Sequence, residues 1–288
     1  MALFKQMTII GVGLIGGSLA RAAKKQGLVE TIIGSGRDAR HLQTALDLGV
    51  IDKFELDLAQ SVKGSDIVIL AVPMGAMLAV MQTIKNDLHA DAILSDVGSA
   101  KQAVIGAAQQ VFSHLPGGFI PGHPIAGTEQ SGVEASFDSL YENRCVILTP
   151  LETSSELSKN KLSQLWQGVG ANVVMMDAKH HDEVLAATSH VPHVLAFALV
   201  DTLGQMNEHA EIFRFAAGGF RDFTRIASSD TKMWRDICLE NSEAVVQVLD
   251  RFNLELEKLR QAIAKKDSAY IETIFARAKT ARDNHIIG

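Results

Sequence analysis

The sequence is poor in cysteine and carries no strong excess of charge. Its 288 residues include two cysteines, Cys145 and Cys238, which lie far apart and lack the spacing of a metal site. We therefore expect reduced thiols and no bound metal. A net charge of −6 disfavours nucleic acid and anionic membranes as partners, because both bind basic surfaces.

The sequence pattern also predicts no segment for targeting or membrane insertion. We expect no apolar run of the length that spans a bilayer. The first strand-like run begins within a few residues of Met1, which leaves no room for a signal peptide. The expected location is therefore cytoplasmic. The length is large for one domain and comfortable for two.

The most informative segment runs from Met7 to Ser18 and reads MTIIGVGLIGGS. A strand-forming run leads into Gly11-x-Gly13-x-x-Gly16, and a helical run follows. In a dinucleotide-binding unit these glycines permit a tight turn, close approach of the pyrophosphate and close packing of the helix, respectively. The helix N-terminus then attracts phosphate. We predict a nicotinamide dinucleotide site, and an ordinary glycine-rich turn is the alternative.

The end of the second predicted strand bears on the choice between NAD and NADP. An acidic residue there would hold the ribose hydroxyls of NAD, but the chain reads GSGRD from Gly34. Arg37 can hold a 2′-phosphate and Ser35 can add a hydroxyl, so the sequence favours NADP over NAD. A ribose contact from Asp38, or a solvated Arg37, is the alternative. The predicted cofactor contacts are Gly11, Gly13, Leu14, Ile15, Gly16, Ser35, Arg37, Val72 and Pro73.

Strand-like and helix-like runs alternate up to Met176, which predicts an α/β fold with a doubly wound parallel sheet of the Rossmann type. From Asp177 onward strand signals cease, so residues 1–176 and 177–288 are predicted to form a Rossmann domain and an all-helical dimerisation domain. The helical half is too slight to bury all its apolar positions, so we expect a homodimer. The predicted strands are 7–11, 31–34, 66–72, 92–96, 118–121, 144–148 and 172–176.

Polar side chains follow several of these strands. DVGSAK begins at Asp96 and PGHPIAGTE at Pro121, both at the carboxyl ends of strands, where open α/β sheets bind their ligands. His123 lies between Gly122 and Pro124, which restrict the backbone and favour a held side chain. A histidine that is hydrogen-bonded within a loop is the alternative.

Five segments read, in order, GVGLIGGS, DVGSAK, GHPIAGTEQSG, SHVPH and GGFRDFTRIASSDTKMWRDI. Together they resemble the prephenate and arogenate dehydrogenases of tyrosine biosynthesis, over essentially the whole chain. The resemblance implies an NAD(P)-dependent oxidoreductase that oxidatively decarboxylates prephenate, arogenate or both, giving 4-hydroxyphenylpyruvate or tyrosine. Such a reaction needs a base for the C4 hydroxyl, cations for the carboxylates and a geometry for hydride transfer.

The resemblance also implies roles for individual residues. His123 matches the catalytic histidine and Ser99 the serine that would assist it, although Ser99 also suits the N-cap of a helix beginning at Ala100. Arg225 matches the carboxylate-binding arginine, with a surface salt bridge as the alternative. The implied substrate contacts are Arg225, His190, His193, Glu129, Asp222 and Trp234. Glu129 is a candidate for the ammonium of arogenate, and packing in the core is the alternative for the histidines and Trp234.

Two other functions compete with this interpretation. A β-hydroxyacid dehydrogenase would carry a catalytic lysine on the first long helix of its second domain, whereas the helix predicted over 181–206 has no lysine. A nicotinamide-binding sensor without catalysis would have damaged catalytic positions, but Ser99, His123 and Arg225 are all present. The enzyme is therefore the favoured interpretation.

Overall fold

The computed structural model describes residues 2–128, 130–207 and 209–285. The chain forms two compact units, residues 1–242 and residues 243–288. The first unit is built on a five-stranded parallel sheet in the order β3-β2-β1-β4-β5. Its strands are β1 (Phe4–Ile10), β2 (Val29–Ser35), β3 (Lys53–Glu55), β4 (Ile67–Leu70) and β5 (Ile93–Asp96). The strand order reverses beside β1, and dinucleotides bind at this kind of switch point.

Helices cover both faces of this sheet. Ile9 packs in one apolar cluster and Ile10 in the other, because successive residues of a strand point to opposite faces. The first cluster includes residues of α1, α2 and α6, and the second includes residues of α4 and α5. The helices are α1 (Leu14–Lys25), α2 (Ala39–Asp47), α3 (Leu58–Ser61), α4 (Met77–Ile84), α5 (Lys101–Val111) and α6 (Glu156–Gly168).

A second, three-stranded sheet carries the predicted catalytic histidine. It consists of β6 (Gly122–Pro124), β7 (Cys145–Leu148) and β8 (Asn172–Met175). Strand β6 runs antiparallel to β7, with His123 opposite Ile147, and β7 runs parallel to β8. His123 therefore lies in a short strand and not in a loop.

The strand prediction was also wrong in two further details. The strand expected over 118–121 is reduced to a single bridge between Phe119 and Leu94. Pro121 has no N–H to continue a ladder of hydrogen bonds there. The prediction also missed β3, a three-residue edge strand whose Lys-Phe-Glu sequence shows no apolar run.

The described residues after Met175 form helices joined by short connections, without a strand, which confirms the predicted helical part. A π-helical turn, Ala186–His190, joins α7 to α8, and a 3-10 turn, Arg225–Ser228, follows α10. The helices are α7 (Ala178–Leu185), α8 (Val191–Gly204), α9 (His209–Arg214), α10 (Gly218–Thr224), α11 (Thr231–Glu240), α12 (Ser242–Lys265) and α13 (Ser268–His285).

The helical stretch Ala178–Gly204 corrects the expectation that no apolar run would be long enough to span a bilayer. It is 27 residues long, and an 18-residue window in it has a mean hydropathy of 1.4. Core helices of globular proteins share this length and composition, so the feature alone carries no membrane assignment.

The second unit consists of α13 and nearly all of α12. Large apolar side chains are exposed on both helices, among them Leu254, Ile263 and Phe275. Apolar side chains that are exposed together on one face are typical of a surface that another protein covers.

Candidate active site

The loop between β1 and α1 has the geometry that the three glycines predict. Gly11 has a φ of +97°, and a Cβ there would collide with the carbonyl oxygen of Ala71. A Cβ on Gly16 would lie 2.8 Å from Cγ2 of Ile9, so this glycine allows α1 to approach the sheet. Apart from its two chain neighbours, no described residue has an atom within 4 Å of a Cβ on Gly13, which leaves the backbone open to a pyrophosphate. The loop therefore fits a dinucleotide.

Four other predicted cofactor contacts lie at this loop: two beside the turn and two at the start of α1. Val72 lies beside the turn, with Cγ1 3.2 Å from a Cβ built on Gly11, and the exposed Pro73 follows it. Leu14 is buried at the start of α1, and the carbonyl of Ile15 accepts a hydrogen bond of 2.6 Å from the hydroxyl of Tyr141. Leu14 and Ile15 thus support the loop through packing and through this anchor.

At the end of β2 the structure supports only part of the predicted cofactor contact. Ser35 is fully buried, and its hydroxyl donates to the carbonyl of Glu55 at 2.7 Å, so it is held inside the sheet. This burial corrects the expectation that Ser35 offers its hydroxyl to the cofactor. Arg37 is exposed. Asp38 accepts hydrogen bonds from the backbone N–H groups of Arg40 and His41 and is the N-cap of α2.

A buried ion pair holds the strand that carries His123. The ammonium of Lys101 contacts the carboxylate of Asp96, and both side chains are inaccessible to solvent. Lys101 also donates to the carbonyl of Gly122 at 2.6 Å, while the N–H of Gly122 donates to Asp96 at 3.1 Å. The pair therefore grips both polar groups of the residue that precedes His123.

His123 begins a chain of three hydrogen-bonded side chains. Its Nδ1 lies 2.9 Å from Nε2 of His181, and Nδ1 of His181 lies 2.8 Å from Oδ1 of Asp182. His123 is half-buried, whereas the other two side chains are buried. Sequence reasoning did not identify His181 or Asp182 as part of the site.

Asp182 also caps α5 from a distance. Its two carboxylate oxygens accept the N–H groups of Lys101 and Gln102 at 2.7 and 2.9 Å. The expectation that Ser99 caps this helix is therefore wrong, since the N-cap position is Ala100 and no local side chain bonds there. Nor does a hydrogen bond join Ser99 to His123 within the described residues, although Ser99 lies three residues after Asp96, in the loop that follows β5.

Burial and neighbouring polar groups determine the protonation states of His123 and Asp182. Burial lowers the pKa of His123 well below its ordinary value of 6.5, and the positive charge of Lys101 lowers this pKa further. Burial by itself would raise the pKa of Asp182, but the hydrogen bonds from His181 and from two backbone N–H groups outweigh burial and lower this pKa. At neutral pH His123 is therefore neutral and Asp182 is ionised.

A second cluster unites three of the implied substrate residues. The ring of Trp234 stacks on His193, with centroids 3.5 Å apart, and meets His190 edge to face at 6.2 Å. Asn241 links this cluster to the first one, because its Nδ2 donates to the carbonyl of Asp182 and to Nδ1 of His190. Burial lowers the pKa of His190 to about 4.

Two buried nitrogen atoms in this second cluster are available for hydrogen bonds to a ligand. His190 Nε2 and Trp234 Nε1 have no hydrogen-bond partner among the described residues. Because Asn241 donates to Nδ1 of neutral His190, the ring proton must sit on Nε2, so both nitrogens are donors. Buried donors are normally satisfied, and these two suit the acceptor oxygens of a polar ligand.

The helix geometry around these histidines has a local cause. Pro192 cannot donate a backbone hydrogen bond and would crowd the carbonyl one turn earlier. The wider π-helical turn Ala186–His190 ends two residues before Pro192 and accommodates this break. His193 Nδ1 lies 2.9 Å from the carbonyl of Ser189, which orients the ring against Trp234.

The remaining implied substrate residues are Arg225, Asp222 and Glu129. Arg225 begins the 3-10 turn Arg225–Ser228, which packs against α8, and it is exposed. Asp222 is exposed on α10. Glu129 lies outside the described residues. Within the described ranges no group of three His, Cys, Asp or Glu side chains is arranged to hold a metal.

The comparisons with known proteins agree with this geometry. A family model for the nucleotide-binding domain of prephenate dehydrogenase matches residues 19–175, and one for its dimerization domain matches residues 177–277. The cyclohexadienyl dehydrogenase of Zymomonas mobilis is 39% identical over 98% of this chain and 96% of its own length.

Two solved structures extend the similarity to the fold. The prephenate dehydrogenase of Aquifex aeolicus, solved with hydroxyphenyl propionate and NAD+, superposes with a TM-score of 0.89 at 36% identity, over 96% of this chain and 97% of that one. The arogenate dehydrogenase of Synechocystis gives a TM-score of 0.82 at 25% identity, over 98% of this chain and 100% of that one.

Proposed function

Because the chain belongs to the prephenate dehydrogenase family, we propose that it oxidatively decarboxylates prephenate, arogenate or both with transfer of a hydride to NAD(P). The matching family models span almost all of residues 19–277, and this coverage is the observation that carries the proposal. The two competing functions, a β-hydroxyacid dehydrogenase and a sensor, receive no comparable support.

In the proposed reaction His123 is the base for the C4 hydroxyl of the cyclohexadiene ring. The bound nicotinamide supplies the hydride acceptor, and loss of the C1 carboxylate as carbon dioxide makes the ring aromatic. A neutral imidazole accepts the hydroxyl proton, and the depressed pKa of His123 keeps the ring neutral at physiological pH. Ser99 is proposed to bind the same hydroxyl.

The substrate carboxylates and side chain are assigned to the helical part. We propose that Arg225 holds a carboxylate and that Asp222 orients it, because a planar guanidinium suits a carboxylate. The donors on His190 and Trp234 would bind other oxygens of the substrate, with His193 as a wall of the pocket. Glu129 is proposed to serve the ammonium of arogenate.

The finer assignments of cofactor and assembly are also proposals. Binding of a nicotinamide dinucleotide is supported by the match to a nucleotide-binding domain, and NADP is preferred here because Arg37 is exposed and Asp38 is a helix cap. A homodimer is supported by the dimerization-domain match and the exposed apolar side chains of α12 and α13. We retain residue 176 as the domain boundary and the cytoplasm as the location.

The decisive experiment is a grid of four assays that offers prephenate or arogenate with NAD or NADP and follows reduced nicotinamide. Turnover in any of the four supports the proposed reaction, and the pattern identifies the preferred substrate and cofactor. No turnover in all four, while the cofactor still binds, would refute the proposal.

The pH dependence follows from the neutral state of His123. A base is active only when deprotonated, and burial lowers the pKa of His123 below 6.5, so kcat/KM is expected to be constant above neutral pH. It should fall about tenfold per pH unit once the pH drops below that lowered pKa. Cofactor affinity, measured in parallel, should not follow this fall. A loss of activity as the pH rises from 6 to 8 would contradict the assignment.

Replacing Arg37 tests the cofactor proposal. Arg37→Ala is expected to raise the KM for NADP by about 10- to 100-fold, because a charge-assisted hydrogen bond to the 2′-phosphate is lost, and to leave the KM for NAD unchanged. Arg144→Ala is a matched control, since it removes an exposed arginine just before β7. No rise for NADP would show that Arg37 is merely solvated, and an equal rise for both cofactors would show that Arg37 contacts a group common to both and not the 2′-phosphate.

A further inference from the structure

The hydrogen bonds around His123 determine which of its two ring nitrogens carries the proton. Asp182 is ionised, so its Oδ1 accepts, and Nδ1 of His181 at 2.8 Å must be the donor. An imidazole with a single ring proton, which the bond to Asp182 places on Nδ1, has a lone pair on Nε2. This nitrogen therefore accepts, and Nδ1 of His123 at 2.9 Å carries the proton.

We propose that Asp182 and His181 are positioning residues that fix His123 in the tautomer with its proton on Nδ1 and its lone pair on Nε2. This inference rests on the proposed role of His123 as the base, because it identifies the nitrogen that receives the hydroxyl proton. In the transfer the O–H bond of the substrate breaks and an N–H bond forms at Nε2. The resulting imidazolium still donates from Nδ1 to His181.

Backbone hydrogen bonds from α5 fix the orientation of the Asp182 carboxylate. Its Oδ1 and Oδ2 accept the N–H groups of Lys101 and Gln102, so the carboxylate cannot rotate without uncapping α5. The same oxygen, Oδ1, holds His181. The dipole of α5 therefore keeps the charge of Asp182 in place.

The other charged groups around His123 do not supply an alternative partner for Nδ1. Lys101 is engaged by Asp96 and by the carbonyl of Gly122. His190 bonds to Asn241 through Nδ1. The chain of three side chains is therefore the connection through which the charge of Asp182 acts on His123.

The first test reads the tautomer directly and needs no activity. Nitrogen NMR spectra of the whole protein labelled with ¹⁵N-histidine, assigned by loss of signals in His123→Asn, are expected at pH 7.5 to show a protonated Nδ1 and an unprotonated Nε2. A protonated Nε2 would overturn the inference. Because this readout is independent of turnover, failure of the four assays and failure of the tautomer assignment are distinguishable.

The second test compares two replacements of His181. His181→Leu removes the acceptor, and kcat/KM is expected to fall about 10- to 100-fold, as for other partners that orient an active imidazole. The acid limb of the pH profile should also move to lower pH, because the imidazolium of His123 loses its acceptor. His181→Gln places Oε1 where Nε2 was and should restore most of the activity.

Controls separate this positioning role from a structural one. His180→Leu changes the exposed neighbour on the same helix and should leave kcat/KM and its pH profile unchanged. Equal losses in His181→Leu and His181→Gln, with the acid limb in its original place, would show that His181 only fills space. If His181→Leu does not fold, the NMR spectrum and the profile of His181→Gln still decide.

Discussion

Replacing His123 with asparagine is expected to lower kcat by about 10²- to 10⁴-fold, which is the usual contribution of a positioned base. The amide nitrogen of asparagine occupies the position of Nδ1, so the hydrogen bond to His181 is retained while Nε2 is removed. The variant therefore tests the base and leaves its support intact. The loss corresponds to about 3–5 kcal/mol of transition-state stabilisation.

The measurement pairs steady-state turnover with direct binding. The dissociation constant of the cofactor, measured by calorimetry, should match that of the unchanged protein, because the glycine loop does not involve His123. His114→Asn, a change at an exposed histidine, is the matched control and should turn over normally. Normal turnover in His123→Asn would remove His123 from the mechanism and with it the proposed tautomer control.

The parts of the fold that follow local rules could be predicted from the sequence. The segment from Met7 to Ser18 combines a strand pattern, three glycines and a helix pattern, and each imposes its own local geometry. In the structure Gly11 indeed adopts a positive φ, and Gly16 allows close packing of α1. The sequence also predicted His123 at the carboxyl edge of the sheet, and in the structure the N–H of Gly122, the residue before it, donates to Asp96 at the end of β5.

The rest of the site depends on contacts between distant segments, which no local pattern contains. The pair His181 and Asp182 lies 58 or more residues from His123 and Lys101, and Asn241 reaches Asp182 across a further 59. On the sequence alone, HHDE at the start of a helix is also typical of a solvated face. The burial of Lys101, which requires a partner for its charge, is visible only in the structure.

The same reasoning explains the two corrected serines. Ser35 ends a strand in a position that suits a cofactor contact, yet the neighbouring strand β3 supplies the carbonyl of Glu55 as its acceptor. Ser99 precedes a helix in a position that suits a cap, yet Asp182 of α7 accepts the hydrogen bond from the N–H group of Lys101. In both cases a residue distant in sequence forms the hydrogen bond that the local prediction had assigned to another partner.

The largest effect on stability is expected from Lys101, the fully buried cation below His123. Lys101→Met keeps the length of the side chain but leaves the charge of Asp96 buried with only its backbone donors, the N–H groups of Gly98 and Gly122. Removal of one partner of a buried pair costs about 3–5 kcal/mol of unfolding free energy. Urea unfolding followed by tryptophan fluorescence measures it, because both tryptophans lie in the first unit.

Two further variants establish the cause of that loss. Lys25→Met breaks the exposed pair with Asp138 and should lower the unfolding free energy far less than Lys101→Met does, since solvent screens such pairs. The double variant Asp96→Asn, Lys101→Met removes the uncompensated charge and should recover part of the loss, whereas additive losses would mean that the two residues do not act as a pair. Because the pair also grips both polar groups of Gly122, recovery of stability without recovery of turnover would indicate that the placement of His123 depends on the ammonium itself.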